Sequence, residues 1–368
     1  MAEREGFEPS IRFWRILTFQ ASAFDHSATA PHCSGIARPS GTRCLAQGVK
    51  GWHKRGMKHN TAFVALALLT APLNAQEPAK PVAPAPGEIV TAAPAADWTA
   101  IPTSDLLVMD LAADEKGKPR RVVIQLMPAP FSAGWIGNIR KLAAAHWWDG
   151  TSVNRVQDNY VVQWGDASEE KALPPGLAVV GEDSYLTKAV TKFPSRDQKY
   201  GVQGALGDAY GYSQFWQGWP VGRDMLKHNW PTHCYGMVGV ARGMSPDTGS
   251  GAELYTVIGH APRHLDRNIA LVGRVIEGIE HLSSLPRGTG ALGFYETPEE
   301  RVPIRSMRIG SEVDTDKPLP KFEYLSTTSA SFTAYAEARA NRRDPFFIHP
   351  AGGADICNIP VPVRRVKP

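Results

Sequence analysis

The pattern of apolar and polar residues predicts a chain of mostly short strands with few helices. Residues 106–111 and 121–127 are apolar runs of strand length joined by a charged turn that contains glycine, which predicts a hairpin. The spacing then becomes helical, because Trp135, Ile139 and Leu142 recur on one face of the next stretch. One amphipathic helix is therefore expected directly after the hairpin.

Downstream of this helix the strand pattern returns, with one long interruption. Residues 167–232 are dense in glycine, proline and aromatic side chains and have no sustained period, which predicts a long ordered insertion. Further strands and a short helix that ends at Pro286 follow the insertion. We expect residues 98–290 to form the main domain and residues 291–368 to form a C-terminal extension packed on it.

The first part of the sequence contains the features of a secretory signal. Residues 57–75 combine the basic Lys58, an apolar run and the small residue Ala75 at the expected cleavage position. The run is shorter than the roughly 20 residues that span a membrane, so we expect cleavage without stable membrane insertion. This predicts a periplasmic or secreted protein. Residues 76–97, rich in proline and alanine, predict an extended linker behind the signal.

Residues 1–56 precede the predicted signal, although such signals normally stand at the start of a chain. Their stretch EREGFEPSIR resembles the conceptual translation of a tRNA sequence. We therefore interpret residues 1–56 as a spurious, disordered upstream extension. A genuine disordered N terminus is the alternative.

Composition and charge exclude some classes of partner. The chain has 368 residues, of which 43% are hydrophobic and 21% charged, enough for a sizeable core in one or two domains. Its formal net charge is +4, but residues 1–56 carry eight Lys or Arg and four Asp or Glu, which leaves 32 of each sign afterwards. The remainder is balanced, which argues against a nucleic-acid partner and against a basic membrane helix.

The cysteines bear on the compartment. Cys33 and Cys44 lie in the upstream extension, so only Cys234 and Cys357 would reach an oxidising environment. We hypothesise that these two form one disulfide. Two buried free thiols remain the alternative.

Three stretches, in order, resemble the signatures of one known family. They are WDGTSVNRVQDNYVVQWGD at 148–166, VGVARGMSPDTGSGAELYTVIG at 238–259 and HLDRNIALVGRVIEGIEHL at 264–282. Residues 104–285 thereby resemble a cyclophilin, a peptidyl-prolyl cis-trans isomerase. The resemblance implies a mainly β fold, a closed eight-stranded antiparallel barrel capped by two helices, here with the insertion and the extension.

The resemblance also implies a reaction on X-Pro bonds of unfolded or partly folded proteins. Rotation about this bond meets a barrier of roughly 18–20 kcal/mol, so a catalyst must stabilise the twisted amide. The family's catalytic arginine falls on Arg155, which would donate to the prolyl nitrogen, and Gln163 would orient it. The substrate-binding positions of the proline pocket and its groove fall on Tyr160, Val161, Ala241, Arg242, Glu253, Tyr255, His264, Leu265 and Ile269.

Some of these positions depart from the family's usual residues. Tyr160 and Tyr255 replace phenylalanines, Glu253 replaces a glutamine, and Ile269 replaces a histidine. These changes keep the pocket apolar but alter its rim. Two functions therefore remain open. One is a monomeric periplasmic isomerase that assists folding and uses no cofactor. The other is a catalytically weak proline-peptide-binding module or chaperone on the same scaffold.

Three short motifs point to other chemistry but lack the context that it needs. Asp247 lies in Asp-Thr-Gly-Ser, the sequence around an aspartic-protease carboxylate, yet Pro246 interrupts the approaching strand and no second such motif occurs. We therefore interpret Asp247 as a turn residue. Residues 288–293 match Gly-x-Gly-x-x-Gly but follow a helix rather than a strand. His260 and His264 are spaced like zinc ligands without a matching second pair, so no metal is expected.

Overall fold

The architecture comes from a computed structural model, which describes residues 82–190, 208, 210–313 and 319–366. The upstream extension and signal peptide predicted for residues 1–75 lie outside the described residues. None of the described helices is long and apolar enough to cross a membrane.

Short strands dominate the described residues, together with four α-helices. The strands are β1 Trp98–Ile101, β2 Leu106–Leu111, β3 Arg120–Leu126, β4 Ser152–Val156, β5 Val161–Gly165, β6 Tyr212–Trp216, β7 Trp219–Arg223, β8 Asn229–Pro231, β9 Met237–Val240, β10 Leu254–Val257, β11 Leu271–Glu277, β12 Val302–Ile309, β13 Phe322–Leu325 and β14 Val363–Arg365. The helices are α1 Pro86–Ala92, α2 Ala133–Ala144, α3 Glu280–Ser283 and α4 Ala330–Ala340.

Eight antiparallel strands close into a barrel, in the order β10, β5, β4, β12, β2, β3, β11 and β9. Successive side chains of a strand point to opposite faces, so each strand divides its residues between the core and the outer face. In β5, Val162 and Trp164 belong to the main buried core, whereas Val161 belongs to a separate cluster outside it. The predicted mainly β fold with a closed eight-stranded barrel is confirmed.

Helix α2 packs its apolar face into the barrel core. Trp135, Ile139 and Leu142 are fully buried there, on the face that their spacing predicts. The Trp135 indole N–H donates to the carbonyl oxygen of Thr248 at 3.1 Å, which ties the helix to the loop before β10. Leu282 of α3 is buried in the same core.

Strand β12 belongs to the barrel although it lies beyond the predicted end of the main domain at residue 290. It pairs with β2 over much of its length and with β4 through Val302 and Pro303. The predicted boundary is therefore wrong, because the barrel closes only when residues 302–309 are included. The segment outside the barrel begins after Ile309.

The predicted insertion at residues 167–232 contains a small sheet of its own, formed by β6, β7 and β8. Trp219 of β7 is buried, and its ring lies 4.5 Å from the guanidinium carbon of Arg274 on β11. This cation–π contact joins the insertion to the barrel wall. Residues 191–207 and 209 lie outside the described residues.

Part of the predicted linker is helical. Helix α1 begins with Pro86, a residue favoured at the first helical position. Its Ile89 packs against a buried cluster that includes Phe332 of α4. The extended linker predicted for residues 76–97 is therefore wrong for residues 86–92, because α4 supplies the tertiary contact that a short helix needs.

A disulfide joins Cys234, just before β9, to Cys357 in the C-terminal segment. The two Cα atoms are 5.0 Å apart, and the bond closes a sequence separation of 123 residues. Cys357 lies in a short 3₁₀ helix capped by Asp355, whose Oδ1 accepts from the Cys357 backbone N–H at 2.8 Å. The C-terminal segment is thus attached covalently to the edge of the barrel.

Candidate active site

Neighbouring strands bring the two predicted catalytic residues and one predicted substrate-binding residue into one row on the outer face of the barrel. Arg155 of β4 is the register partner of Gln163 of β5, and Gln163 is the partner of Tyr255 of β10. Tyr255 in turn lies opposite Gly239 of β9. Directly opposed residues of antiparallel strands share a face, so their side chains meet at one site.

Arg155 is held by hydrogen bonds from all three of its side-chain nitrogens. Its Nε donates to the carbonyl oxygen of Leu292 at 2.9 Å, and its Nη1 donates to Gln163 Oε1 at 3.3 Å. Its Nη2 donates to Gln157 Oε1. These neutral acceptors fix the plane of the guanidinium without neutralising its charge.

The charged guanidinium is buried and lies next to two aromatic rings. Arg155 is only 3% exposed, and the ring centroids of Tyr160 and Phe294 lie 5.7 and 5.1 Å from its guanidinium carbon. Burial lowers the pKa of Arg155 to about 10, so the group is still charged at neutral pH. The site therefore holds a desolvated cation with a fixed orientation.

The row borders a cavity of about 260 Å³. Every predicted site residue except Glu253 lines it, and Gly243 and Asn268 complete the lining. Val161 and Tyr255 are buried in this lining, and together with Val257 they form an apolar cluster separate from the barrel core. None of the described residues of the insertion lines the cavity. The cavity is therefore an apolar recess with one buried cation at its edge.

Arg242 and His264 form part of the rim. Arg242 Nε donates to the carbonyl oxygen of Asn268 at 3.0 Å, and its Nη1 donates to that of Gly243 at 2.8 Å. The bond to Asn268 ties together two loops that border the cavity. Burial lowers the pKa of His264, which favours its neutral form there.

Three residues that contact Arg155 are absent from the sequence prediction. Gln157 lies two positions after Arg155, and strand periodicity places such residues on one face, so this contact could have been predicted. Leu292 and Phe294 come from a segment beyond the predicted main domain. No local pattern links them to Arg155.

Glu253, predicted to line the substrate groove, lies in a neighbouring cavity of about 460 Å³ that shares Gln163 and Gly243 with the first. Its Oε1 accepts from the backbone N–H of Asp166 at 2.6 Å. The carboxyl occupies space that a Cβ would fill at Gly165, which explains why the side chain turns away from the proline cavity. Burial raises the pKa of Glu253 to about 8.

Replacing Glu253 with glutamine is expected to stabilise the protein increasingly as the pH rises. The pKa of Glu253 is about 8 in the folded state against an ordinary value of 4.5, so folding retains a proton that the unfolded chain releases. The free energy of unfolding of wild type therefore falls as the pH rises from about 4.5 to about 8, by at most about 1.4 kcal/mol per pH unit. Urea unfolding of both proteins across the window measures the difference.

The exposed Glu299 offers a matched control for this substitution. Glu299→Gln should show no gain in the free energy of unfolding that grows with pH. If the free energies of unfolding of wild type and Glu253→Gln change in parallel with pH, Glu253 retains no proton on folding.

Asp247 forms the turn that its sequence predicts. Its Oδ2 accepts from the backbone N–H of Gly243 at 2.6 Å, and its Oδ1 accepts from that of Gly249 at 2.9 Å. Both oxygens thus stabilise the loop before β10. Within the described ranges, no group of three or more His, Cys, Asp or Glu residues is arranged to hold a metal ion.

Residues 111–309 match the family model described as cyclophilin type peptidyl-prolyl cis-trans isomerase/CLD. The match covers more than half of the chain and includes Arg155, Gln163 and Tyr255. The chain belongs to the cyclophilin-type peptidyl-prolyl cis-trans isomerase family. No curated protein sequence matches the chain significantly.

Solved cyclophilin structures are among the proteins that this chain is similar to. Cyclophilin AquaCyp293 from Hirschia baltica has a TM-score of 0.54 and 20% identity, covering 74% of this chain and 95% of that chain. A cyclophilin-type peptidyl-prolyl cis-trans isomerase from Cryptosporidium parvum, solved with the dipeptide Ala-Pro, has a TM-score of 0.32 and 12% identity. That match covers 55% of this chain and 98% of the other. The similarity to AquaCyp293 supports the fold assignment.

Proposed function

We propose that this protein catalyses the cis-trans isomerisation of X-Pro peptide bonds. The observation that carries the proposal is the row of Arg155, Gln163 and Tyr255 beside an apolar cavity, in a member of the cyclophilin-type family. An X-Pro substrate has a polar amide joined to an apolar ring. A buried guanidinium next to an apolar recess is complementary to both parts.

In this mechanism Arg155 acts on the amide as it twists. Rotation interrupts the conjugation of the prolyl nitrogen, whose lone pair can then accept a hydrogen bond from the guanidinium. Because this bond forms in the twisted state and not in the planar ground states, it lowers the barrier to rotation. The burial that lowers the pKa of Arg155 also strengthens the hydrogen bond.

The other site residues bind and orient. Gln163 and Gln157 accept from the guanidinium and thereby hold Arg155 in the plane that its hydrogen bonds define. The prolyl ring is expected against Val161, Tyr255 and Ile269, which supply apolar surface at one end of the row. Together these contacts would hold the X-Pro bond beside the donor.

The proposal is tested by measuring cis-trans exchange of an Ala-Ala-Pro-Phe peptide by NMR with and without the protein. We expect faster exchange at substoichiometric protein concentrations. The alternative, a proline-peptide-binding module, predicts saturable binding with an unchanged exchange rate. A peptide with alanine in place of proline is the control for binding at the proline cavity.

We also propose that the mature protein is a monomer that assists folding in the periplasm or outside the cell. The signal pattern of residues 57–75 supports export, and the Cys234–Cys357 disulfide is typical of an oxidising compartment. Sequencing the N terminus of the mature chain should give a start at Gln76. A mature chain that retains residues 57–75 would contradict removal of the signal.

A further inference from the structure

Two fully buried polar side chains lie directly behind the wall of the proline cavity. Tyr255 Oη lies 2.8 Å from His233 Nε2, and His233 Nδ1 lies 2.9 Å from Asp266 Oδ1. The side chains of His233 and Asp266 are fully buried. Neither residue lines the cavity, whereas Tyr255 does. They therefore contact the site only indirectly, through the hydrogen bond to the Tyr255 hydroxyl.

The direction of each hydrogen bond follows from the groups that it joins. A carboxylate only accepts, so His233 Nδ1 donates to Asp266 Oδ1, which also accepts from the His233 backbone N–H at 2.9 Å. In the neutral imidazole Nε2 carries no proton, so it accepts from the Tyr255 hydroxyl. Burial raises the pKa of Tyr255 well above its ordinary value, so the hydroxyl keeps the proton that it donates.

The second carboxylate oxygen of Asp266 is held by an ion pair. Its Oδ2 accepts from Arg263 Nε at 2.7 Å, and Arg263 Nη2 donates to Asp208 Oδ2 at 2.6 Å. Each of these three side chains is less than a tenth exposed. A carboxylate anchored in this way holds the imidazole in one tautomer and one orientation.

The Tyr255 ring occupies the space left by a glycine on the neighbouring strand. A Cβ at Gly239, opposite Tyr255 on β9, would collide with the ring and the hydroxyl. The ring lies across this gap and nearly parallel to the imidazole of His233, with 9° between the two planes. Holding the hydroxyl therefore also fixes the ring face that borders the cavity.

We infer that His233, oriented by Asp266, is a positioning residue that fixes the Tyr255 ring as a wall of the proline cavity. The inference rests on the proposed function, in which this cavity receives the prolyl ring. None of the hydrogen bonds of His233 reaches Arg155. Loss of its bond to Tyr255 should therefore weaken peptide binding and leave the turnover of bound peptide nearly unchanged.

Two polar substitutions separate the two bonds of the imidazole. In H233N the shorter amide can still reach Asp266 but not Tyr255, whereas in H233Q the longer amide can reach Tyr255. We expect H233N to raise KM for the Ala-Ala-Pro-Phe peptide about tenfold with kcat within about twofold. H233Q should stay within about threefold of the wild-type KM. NMR exchange rates at several peptide concentrations give both constants.

The Tyr255→Phe background tests whether His233 acts through the hydroxyl. Because that bond is already absent, H233N should change KM by less than about twofold there. An undiminished effect of H233N in this background overturns the inference, and so do equal KM values for H233N and H233Q. In either case an active wild type still upholds the proposed function. Should H233N fail to fold, Tyr255→Phe alone must show the same rise in KM.

Thr256→Val controls for general loss of stability. Thr256 follows Tyr255 on β10, and its buried hydroxyl donates to the carbonyl oxygen of Met237 at 3.2 Å. The valine variant should be less stable with an unchanged KM. If it raises KM as H233N does, destabilisation explains the effect and the inference fails. A wild type that neither binds nor isomerises the peptide overturns the proposed function, and the inference with it.

Discussion

Arg155→Ala should lower kcat/KM for an X-Pro peptide by about two to three orders of magnitude, with a much smaller loss of peptide binding. The guanidinium is the only charged group proposed to contact the amide, and its contribution is confined to the twisted state. NMR exchange rates and a separate binding titration measure the two effects. Both proteins should have the same circular dichroism spectrum.

Two further arginine substitutions make this result specific. Arg155→Lys retains the charge but loses the planar donor pair, so its rate should lie between those of wild type and Arg155→Ala. Arg287→Ala removes an exposed arginine that pairs with Asp158 at 2.9 Å, and its rate should equal that of wild type. Wild-type rates for Arg155→Ala would show that the guanidinium takes no part in catalysis.

Removing the Cys234–Cys357 disulfide should lower the free energy of unfolding by about 2–5 kcal/mol. The bond closes a loop of 123 residues in sequence and therefore restricts the unfolded chain strongly. It also attaches the C-terminal segment, whose Ile356 and Ile359 are buried in the cluster around α4. Urea unfolding of wild type and of the Cys234→Ala, Cys357→Ala double variant measures the loss.

Reduction provides an independent measurement of the same bond. In the presence of a reductant, wild type should unfold at the same urea concentration as the double variant. The double variant should unfold at the same urea concentration with and without the reductant. Two free thiols in the denatured, unreduced mature protein would contradict the disulfide. They would favour the alternative of two buried thiols.

Much of the site could be predicted because strand periodicity and the family signatures give the same register. The phase of β4 and β5 predicts that Arg155 and Gln163 share a face, and their pairing places them opposite each other. The apolar runs of β2 and β3 likewise predict the hairpin that starts the barrel. In these segments local pattern and tertiary packing impose the same constraint.

Features that depend on distant contacts could not be predicted. β12 contains Pro303 and two arginines, so its local pattern does not reveal that it closes the barrel between β2 and β4. α1 is stabilised by α4, more than 200 residues away in sequence. His233 reaches the site only through Tyr255, and no spacing in the sequence indicates that contact.

The most direct test of the central claim is a crystal structure of the protein with a bound Ala-Pro peptide. We predict that the prolyl ring lies against Val161, Tyr255 and Ile269, with the Arg155 guanidinium beside the X-Pro amide, where it can donate to the prolyl nitrogen once the bond twists. A peptide bound elsewhere, or a prolyl ring in this cavity with its amide beyond the reach of Arg155, would contradict the proposed mechanism.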